Sequence, residues 1–178
     1  MNILLCFLCI IAIFIALFLV IALFIKKDYQ VEREAVIEKP KDEVFAYLKS
    51  LKNQNEWSVW SQMDPNMKNE YIGIDGTVGF ISKWKGNNKV GEGEQEIKKI
   101  TAGERIDNEL RFMKPWKSTS EAYFITEAIR GSSTKVKWGI KGTMPYPMNA
   151  MRLIMNMDKM LGKDFQQGLE NLKKKLES

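Results

Sequence analysis

The sequence predicts an α+β protein: an antiparallel sheet covered by one long C-terminal helix, carried behind a single apolar helix of membrane-spanning length. Three observations lead there. Residues 3–25 are apolar throughout, with no charge, proline or glycine. The middle of the chain alternates apolar and polar residues with period two, segment after segment, which is the pattern of antiparallel strands with one wet face. Towards the C-terminus Ile154, Met157, Leu161, Phe165, Leu169, Leu172 and Leu176 follow one another at spacings of three and four, the stripe of an amphipathic helix.

The apolar run comes first. About 20 such residues cross a ~30 Å hydrocarbon core as a helix. A cleaved signal peptide would carry a basic segment before a shorter apolar core, then a site of small residues. Here only Asn2 separates Met1 from the run, and Lys26, Lys27 and Asp28 follow it directly. The expected division is a transmembrane anchor over residues 1–28 and a folded domain over residues 29–178. Lys26, Lys27, Arg33, Lys39 and Lys41 lie just after the span. The positive-inside bias then places the protein in a membrane, single-pass, with the domain in the cytoplasm.

The domain opens with YQVEREAVIE (residues 29–38), rich in β-formers. Pro40 starts a helix with Asp42 and Glu43 in its first turn, favourable to the dipole, and with Val44, Phe45, Leu48 and Leu51 as its apolar stripe. EWSVWSQMDPN (residues 56–66) then places Trp57 and Trp60 three apart, ahead of a turn. TVGFISKWKG sets Val78, Phe80, Ser82 and Trp84 on one face and Ile81, Lys83 and Lys85 on the other. After an Asn87–Asn88 turn, Glu92, Glu94 and Glu96 share a face, so a hairpin would set the Glu row across from the Lys row in solvent. ERIDNELRFM turns Ile106, Asn108, Leu110 and Phe112 inward, SEAYFITEA turns Ala122 and Phe124 inward, and STKVKWGIKGTM turns Val136, Trp138 and Ile140 inward. In these registers Asp107, Arg111 and Tyr123 face outward. Pro145 and Pro147 end the sheet, and the long helix follows to about Leu176. Gly162 and Gly168 inside it mark either close contact with the sheet or a kink.

Composition removes several chemistries. The chain has no histidine, and its two cysteines, Cys6 and Cys9, lie in the apolar run. His-assisted nucleophiles, His- or Cys-ligated zinc and thiolate catalysis are thereby excluded from the domain. No cofactor or metal is expected. The net charge of +5 is spread along the chain with no basic stretch interleaved with stacking aromatics, which argues against nucleic acid.

The stretches KPKDEVFAYL, EWSVWSQMDP, GTVGFISKWKGNNKVGEGEQEI, TKVKWGIKG and GKDFQQGLENLKKKLE, in this order, resemble the START/Bet v1-like (SRPBCC) superfamily, and within it the bacterial polyketide cyclase/dehydrase-type branch. The resemblance covers the whole of residues 29–177. It implies a helix-grip fold, a curved antiparallel sheet wrapped around the C-terminal helix with an apolar cavity between them. It also implies a domain whose partner is an apolar small molecule or a lipid, and with no histidine and no cysteine outside the apolar run the expected role is non-catalytic. Two alternatives stay open: a cyclase, aromatase or dehydratase using carboxylate, Tyr or Lys groups, and a protein-interaction module like the Hsp90-activator-like branch, with its protein partner unknown. No shared catalytic motif carries over, so no catalytic residue is assigned. The ligand-binding set expected is Trp57, Trp60, Phe80, Trp84, Leu110, Phe112, Phe124, Trp138 and Ile140, joined by Met144, Met151 and Met155 from a methionine-rich stretch whose flexible thioethers suit an adaptable wall.

Overall fold

The computed structural model describes residues 3–178. An apolar helix, α1 (Ile3–Phe24), leads through three residues into strand β1 (Asp28–Ile37). Three helices follow, α2 (Lys41–Lys49), α3 (Leu51–Trp57) and the single turn α4 (Val59–Gln62). Six strands come next: β2 (Lys68–Ile72), β3 (Ile81–Lys85), β4 (Glu92–Thr101), β5 (Arg105–Lys114), β6 (Ser118–Ile129) and β7 (Ser133–Thr143). A 3-10 turn (Met148–Leu153) precedes the long helix α5 (Met157–Glu177). All seven strands form one sheet in the order β1-β7-β6-β5-β4-β3-β2, and every neighbouring pair is antiparallel.

Local chemistry sets the helix boundaries. The Asp75 carboxylate accepts hydrogen bonds from the Leu51 and Lys52 amides and from the Ser50 hydroxyl, while Ser50 itself accepts from the Asn53 amide. The orphan donors at the start of α3 are thereby satisfied. Asn156 caps α5 by accepting from the Lys159 amide at 3.0 Å. That cap corrects one expectation: Ile154 was placed in the helical stripe, but it precedes the cap and stands exposed. Val78 is likewise exposed rather than inward, because Gly79 adopts a positive φ of 89° and strand pairing of β3 begins only at Ile81. The edge strand β2, exposed along its length, lacks the apolar alternation that would announce it.

Register defines the two ends of the sheet. At one end Asp28 pairs with Thr143, Gly142 with Ser120, Phe112 with Ser118, and Glu92 with both Lys85 and Lys114. This is the α1 end. At the far end lie Ile37, Thr134, Ile106 and Ile72. α5 runs alongside β1 in the same sense: its first turn meets mid-strand, where Asp158 binds Arg33, and its last turn reaches the far end, where Glu177 accepts from the Glu38 amide. Register shifts in β4 between Glu92 and Gly93 and between Ile97 and Lys99 bend the sheet around the helix.

The closed core fills the far half. Ile37, Phe80, Ile97, Ile106, Phe124 and Val136 rise from the sheet against Val44, Phe45 and Leu48 of α2 and Leu169, Leu172 and Leu176 of α5. Gly168 lets α5 descend onto Trp138, since a Cβ there would stand 2.7 Å from the indole. Gly162 makes room for the Arg33 guanidinium. Both glycines serve close approach to the sheet.

Candidate ligand cavity

Where the far half is filled, the α1 half is not. Between the sheet and α3, α4 and α5 lies a cavity of about 180 Å³. Its sheet wall is Ser82 and Trp84 of β3, Gln95 of β4, Leu110 and Phe112 of β5, Ala122 of β6, and Trp138 and Ile140 of β7. Leu161 and Phe165 close it from α5, and Leu51, Gln54, Asn55, Ser58, Trp60 and Ser61 from the short helices. Met67, Asn69 and Val90 complete the rim. The small Ala122 forms part of the floor, and the Trp84 indole lies down over Gly93, where a Cβ would stand 2.5 Å from the ring.

An aromatic stack separates cavity from core. Trp138 lies parallel to Phe165 at 4.3 Å and to Phe124 at 5.7 Å, and receives the edges of Trp57 at 4.8 Å and Trp60 at 5.6 Å. Of the expected ligand set, the structure brings Trp60, Trp84, Leu110, Phe112, Trp138 and Ile140 onto the cavity wall. Trp57 and Phe124 instead stand on the core side of Trp138, and Phe80 lies in the closed core, none of them on the cavity wall. Met144, Met151 and Met155 lie outside the cavity wall, beside the 3-10 turn after β7, because that segment ends before α5 reaches the cavity. The methionine that does line it is Met67, on the approach to β2. Leu51, Ala122, Leu161 and Phe165 were already placed by the helical and strand periodicities, but neither pattern tells a wall from a core.

The lining is uncharged. Its polar members are amides and hydroxyls, Gln54, Asn55, Asn69, Gln95, Ser58, Ser61 and Ser82, and no Asp, Glu, Lys, Arg or Tyr is among the lining residues. Asn55 and Ser61 are already joined, the hydroxyl donating to Oδ1 at 3.2 Å. Behind the floor, Asn108 pairs with Ala122 in register and is fully enclosed, and neither its Nδ2 nor its Oδ1 has a hydrogen-bond partner. The buried Trp57 Nε1 is also unpartnered.

The charged groups sit on the opposite, convex face. The Arg111 guanidinium binds Glu94 at 2.6 Å, Glu96 at 2.8 Å and Glu109, which raises its pKa and lowers that of Glu96. Glu92 is held below its usual range by a hydrogen bond from Lys114. The Glu row does run opposite Lys83 and Lys85 in register, yet its short ion pairs are to Arg111, Lys98 and Lys114 on the neighbouring strand and its own. Tyr123 lies over Gly139, its hydroxyl donating to Glu32 at 2.5 Å and accepting from Gln30 at 2.7 Å. Burial and the Glu32 carboxylate push its pKa up to about 12. These groups fasten strands together across the wet face.

The rim is braced by the turn after Trp60. Asp64 accepts from the Asn87 amide at 2.7 Å and the Asn66 amide at 3.0 Å, and Asn87 donates to the Met63 carbonyl. The turn of residues 63–66 is thereby docked on the β3–β4 turn at the α1 end.

No protein-family model and no curated protein matches the sequence. Solved structures do match in three dimensions. Protein CV1439 from Chromobacterium violaceum superposes with a TM-score of 0.59 at 12% identity, over 84% of this chain and 97% of its own. Ara h 8.0201 gives 0.54 at 13% identity over 82% and 97%. Aha1 from Colwellia psychrerythraea, solved as a dimer, gives 0.54 at 16% identity over 83% and 96%. Likeness at these identities speaks for architecture, and with the curved seven-stranded sheet closed on α5 it establishes that the chain has the helix-grip fold.

Proposed function

We propose that the protein is a membrane-anchored binder of a compact, uncharged, largely apolar molecule, held in the cavity between sheet and α5 without covalent chemistry. The observation that carries this is the lining: an aromatic and aliphatic wall with amides and hydroxyls and no ionisable side chain. An ion would enter such a cavity without a partner, at a cost far above what hydrogen bonds to amides return. Acid–base catalysis needs a titratable group within hydrogen-bond reach of the reacting atom, and none is among the lining residues, with Glu94, Glu96, Glu109, Arg111 and Tyr123 on the other side of the sheet. A cavity of about 150 Å³ admits benzene, whereas drug-sized ligands occupy roughly 300–1,000 Å³. The present volume of about 180 Å³ therefore suits one ring or the end of an aliphatic chain, with Gln95 or Gln54 placed to bond a hydroxyl or carbonyl.

Anchoring is supported by how the domain treats α1. Ala22, near its end, is fully buried. Asn149 of the 3-10 turn donates to the carbonyls of Ala22 at 2.6 Å and Ile25 at 2.8 Å. Arg152 donates to the carbonyls of Lys26 at 2.6 Å and Asp28 at 2.7 Å. Cleavage of α1 would strip a buried asparagine of its acceptors. The 22-residue helix is otherwise apolar and exposed along its length, which fits a lipid surrounding, and the lysines after it support a cytoplasmic domain by the positive-inside bias.

The test is native mass spectrometry of the full chain in lipid nanodiscs, beside a cavity-filling Leu110→Trp variant. A neutral apolar molecule bound to the wild-type chain and lost from the variant is the expected result. An ionised ligand, or one that survives the filling substitution, would overturn the reading.

A further inference from the structure

We propose that the α1 end of the domain is itself seated in the bilayer interface, through two apolar tips separate from the anchor: the segment of residues 146–154 and the hairpin turn carrying Trp116. This rests on the reading of α1 as a membrane anchor.

The junction fixes the distance. Three residues separate Phe24 from Asp28, and the four Cα steps between them span about 14 Å at ~3.5 Å each. Whatever the tilt of α1, the end of the sheet at Asp28 cannot stand further than that from the membrane surface. Asn149 and Arg152 then hold the 3-10 turn against the last carbonyls of α1 and the linker, so this turn lies at the membrane surface too.

What the turn presents there is apolar. Leu153 is 66% and Ile154 80% exposed, and Tyr146, Met148 and Met160 beside them are also exposed. The second tip lies at the same end by register, since Phe112 pairs with Ser118 and Ser120 with Gly142, the neighbour of Asp28's partner Thr143. It carries Trp116 at 80% exposure, with Met113 nearby. An exposed Trp between two lysines, Lys114 and Lys117, has the composition of an interfacial anchor, where the ring enters the headgroup level and the cations stay with the phosphates. Lys26, Lys27 and Arg152 supply the same flank to the other tip. The nearest acids are already engaged, Glu92 by Lys114 and Asp28 by the Thr143 hydroxyl.

Exposed apolar residues also occur at the far end, at Ile74 and Val78. Those lie about 30 Å away, the length of a ten-residue strand, beside Asp75, with Lys49 packed against Gly76 between them. They are beyond reach of the surface and serve as the internal control. The cavity occupies the seated half, so an apolar molecule dissolved in the bilayer would meet the rim without crossing bulk water.

The full chain in phosphatidylcholine–phosphatidylglycerol nanodiscs tests this, with Cys6 and Cys9 replaced by Ala and single probes placed by Trp116→Cys, Ile154→Cys or Ile74→Cys. A fourth sample keeps Cys9 alone. Each probe is read against a lipid-borne quencher and an aqueous one. The expected result is loss of signal to the lipid-borne quencher at positions 116, 154 and 9, and to the aqueous one at 74. Positions 116 and 154 open to the aqueous quencher, with 9 buried in lipid, would overturn the seating and leave the anchor intact. A water-accessible Cys9 would overturn the anchor and the seating together. Protection of 116 and 154 from both quenchers would assign the tips to a protein partner and overturn the proposal.

Discussion

Asn108 separates stability from binding. Its carboxamide is enclosed without partners behind the cavity floor, a situation that costs about 1–3 kcal/mol for an unmet polar group. Asn108→Leu, similar in volume, is expected to stabilise the ligand-free protein by roughly 1 kcal/mol in denaturant titration, while weakening any ligand whose hydroxyl or carbonyl reaches it. Unchanged affinity would assign Asn108 to the core alone. The residue was legible as inward from the alternation of ERIDNELRFM. Its lack of partners was not, because hydrogen bonding depends on which atoms the opposite wall happens to supply. The same limit applies to Trp57 and Trp60. Their spacing of three, ahead of a turn, does not say what covers them, and the approach of Trp138 and Phe165 makes Trp57 core and Trp60 wall.

Between elements, the two glycines of α5 make contrasting predictions. At Gly168 an added methyl would meet the Trp138 ring at 2.7 Å, with Trp57 next at 3.5 Å. Rings locked in a stack cannot retreat, so Gly168→Ala is expected to destabilise by about 1–3 kcal/mol. At Gly162 the obstacle is the tip of Arg33, a flexible group whose pair with Asp158 is half in solvent. Gly162→Ala should lose little there and gain up to about 1 kcal/mol of helix propensity, so thermal unfolding would sort the two variants in opposite directions. At the other end of the chain, Asn149→Leu leaves the Ala22 and Ile25 carbonyls without their donor. Trypsin is then expected to cut after Lys26 and Lys27 faster than in the wild-type chain. The presence and order of these elements could be read from periodicity alone. The start of α5 could not, because Ile154 satisfies the helical spacing while a local cap at Asn156 sets the boundary two residues later.

For the whole molecule, the absence of histidine has a measurable result. The domain has no histidine to switch charge near neutrality, and the cavity wall carries no ionisable side chain, so affinity for an uncharged ligand should stay flat from about pH 5 to pH 8. Acid is different. Glu56, Glu92, Glu96, Glu127 and Asp158 all have folded-state pKa values lowered by hydrogen bonds from Lys or Arg. Groups depressed in this way contribute stability that is fully present above their unfolded value, 4.5 for Glu, and is lost as pH falls through the folded one. The unfolding midpoint should therefore drop only below about pH 4.5, and high salt should shrink that drop, since these pairs are mostly exposed. The overall architecture was legible because alternation, the Asn87–Asn88 turn and a long apolar stripe all agree. The cavity was not, because it is a difference between two halves of one sheet whose inward residues look alike in sequence.

The grip of Asn149 and Arg152 on the end of α1 bears on how far the protein can act. A domain on a long, loose linker sweeps a wide volume and can hand its cargo to a neighbouring compartment. This one is joined by three residues that are themselves hydrogen-bonded to it, so with α1 in lipid its travel is two-dimensional. It can exchange a molecule only with what drifts past in the same sheet of lipid, which makes it a station within one membrane rather than a ferry between two.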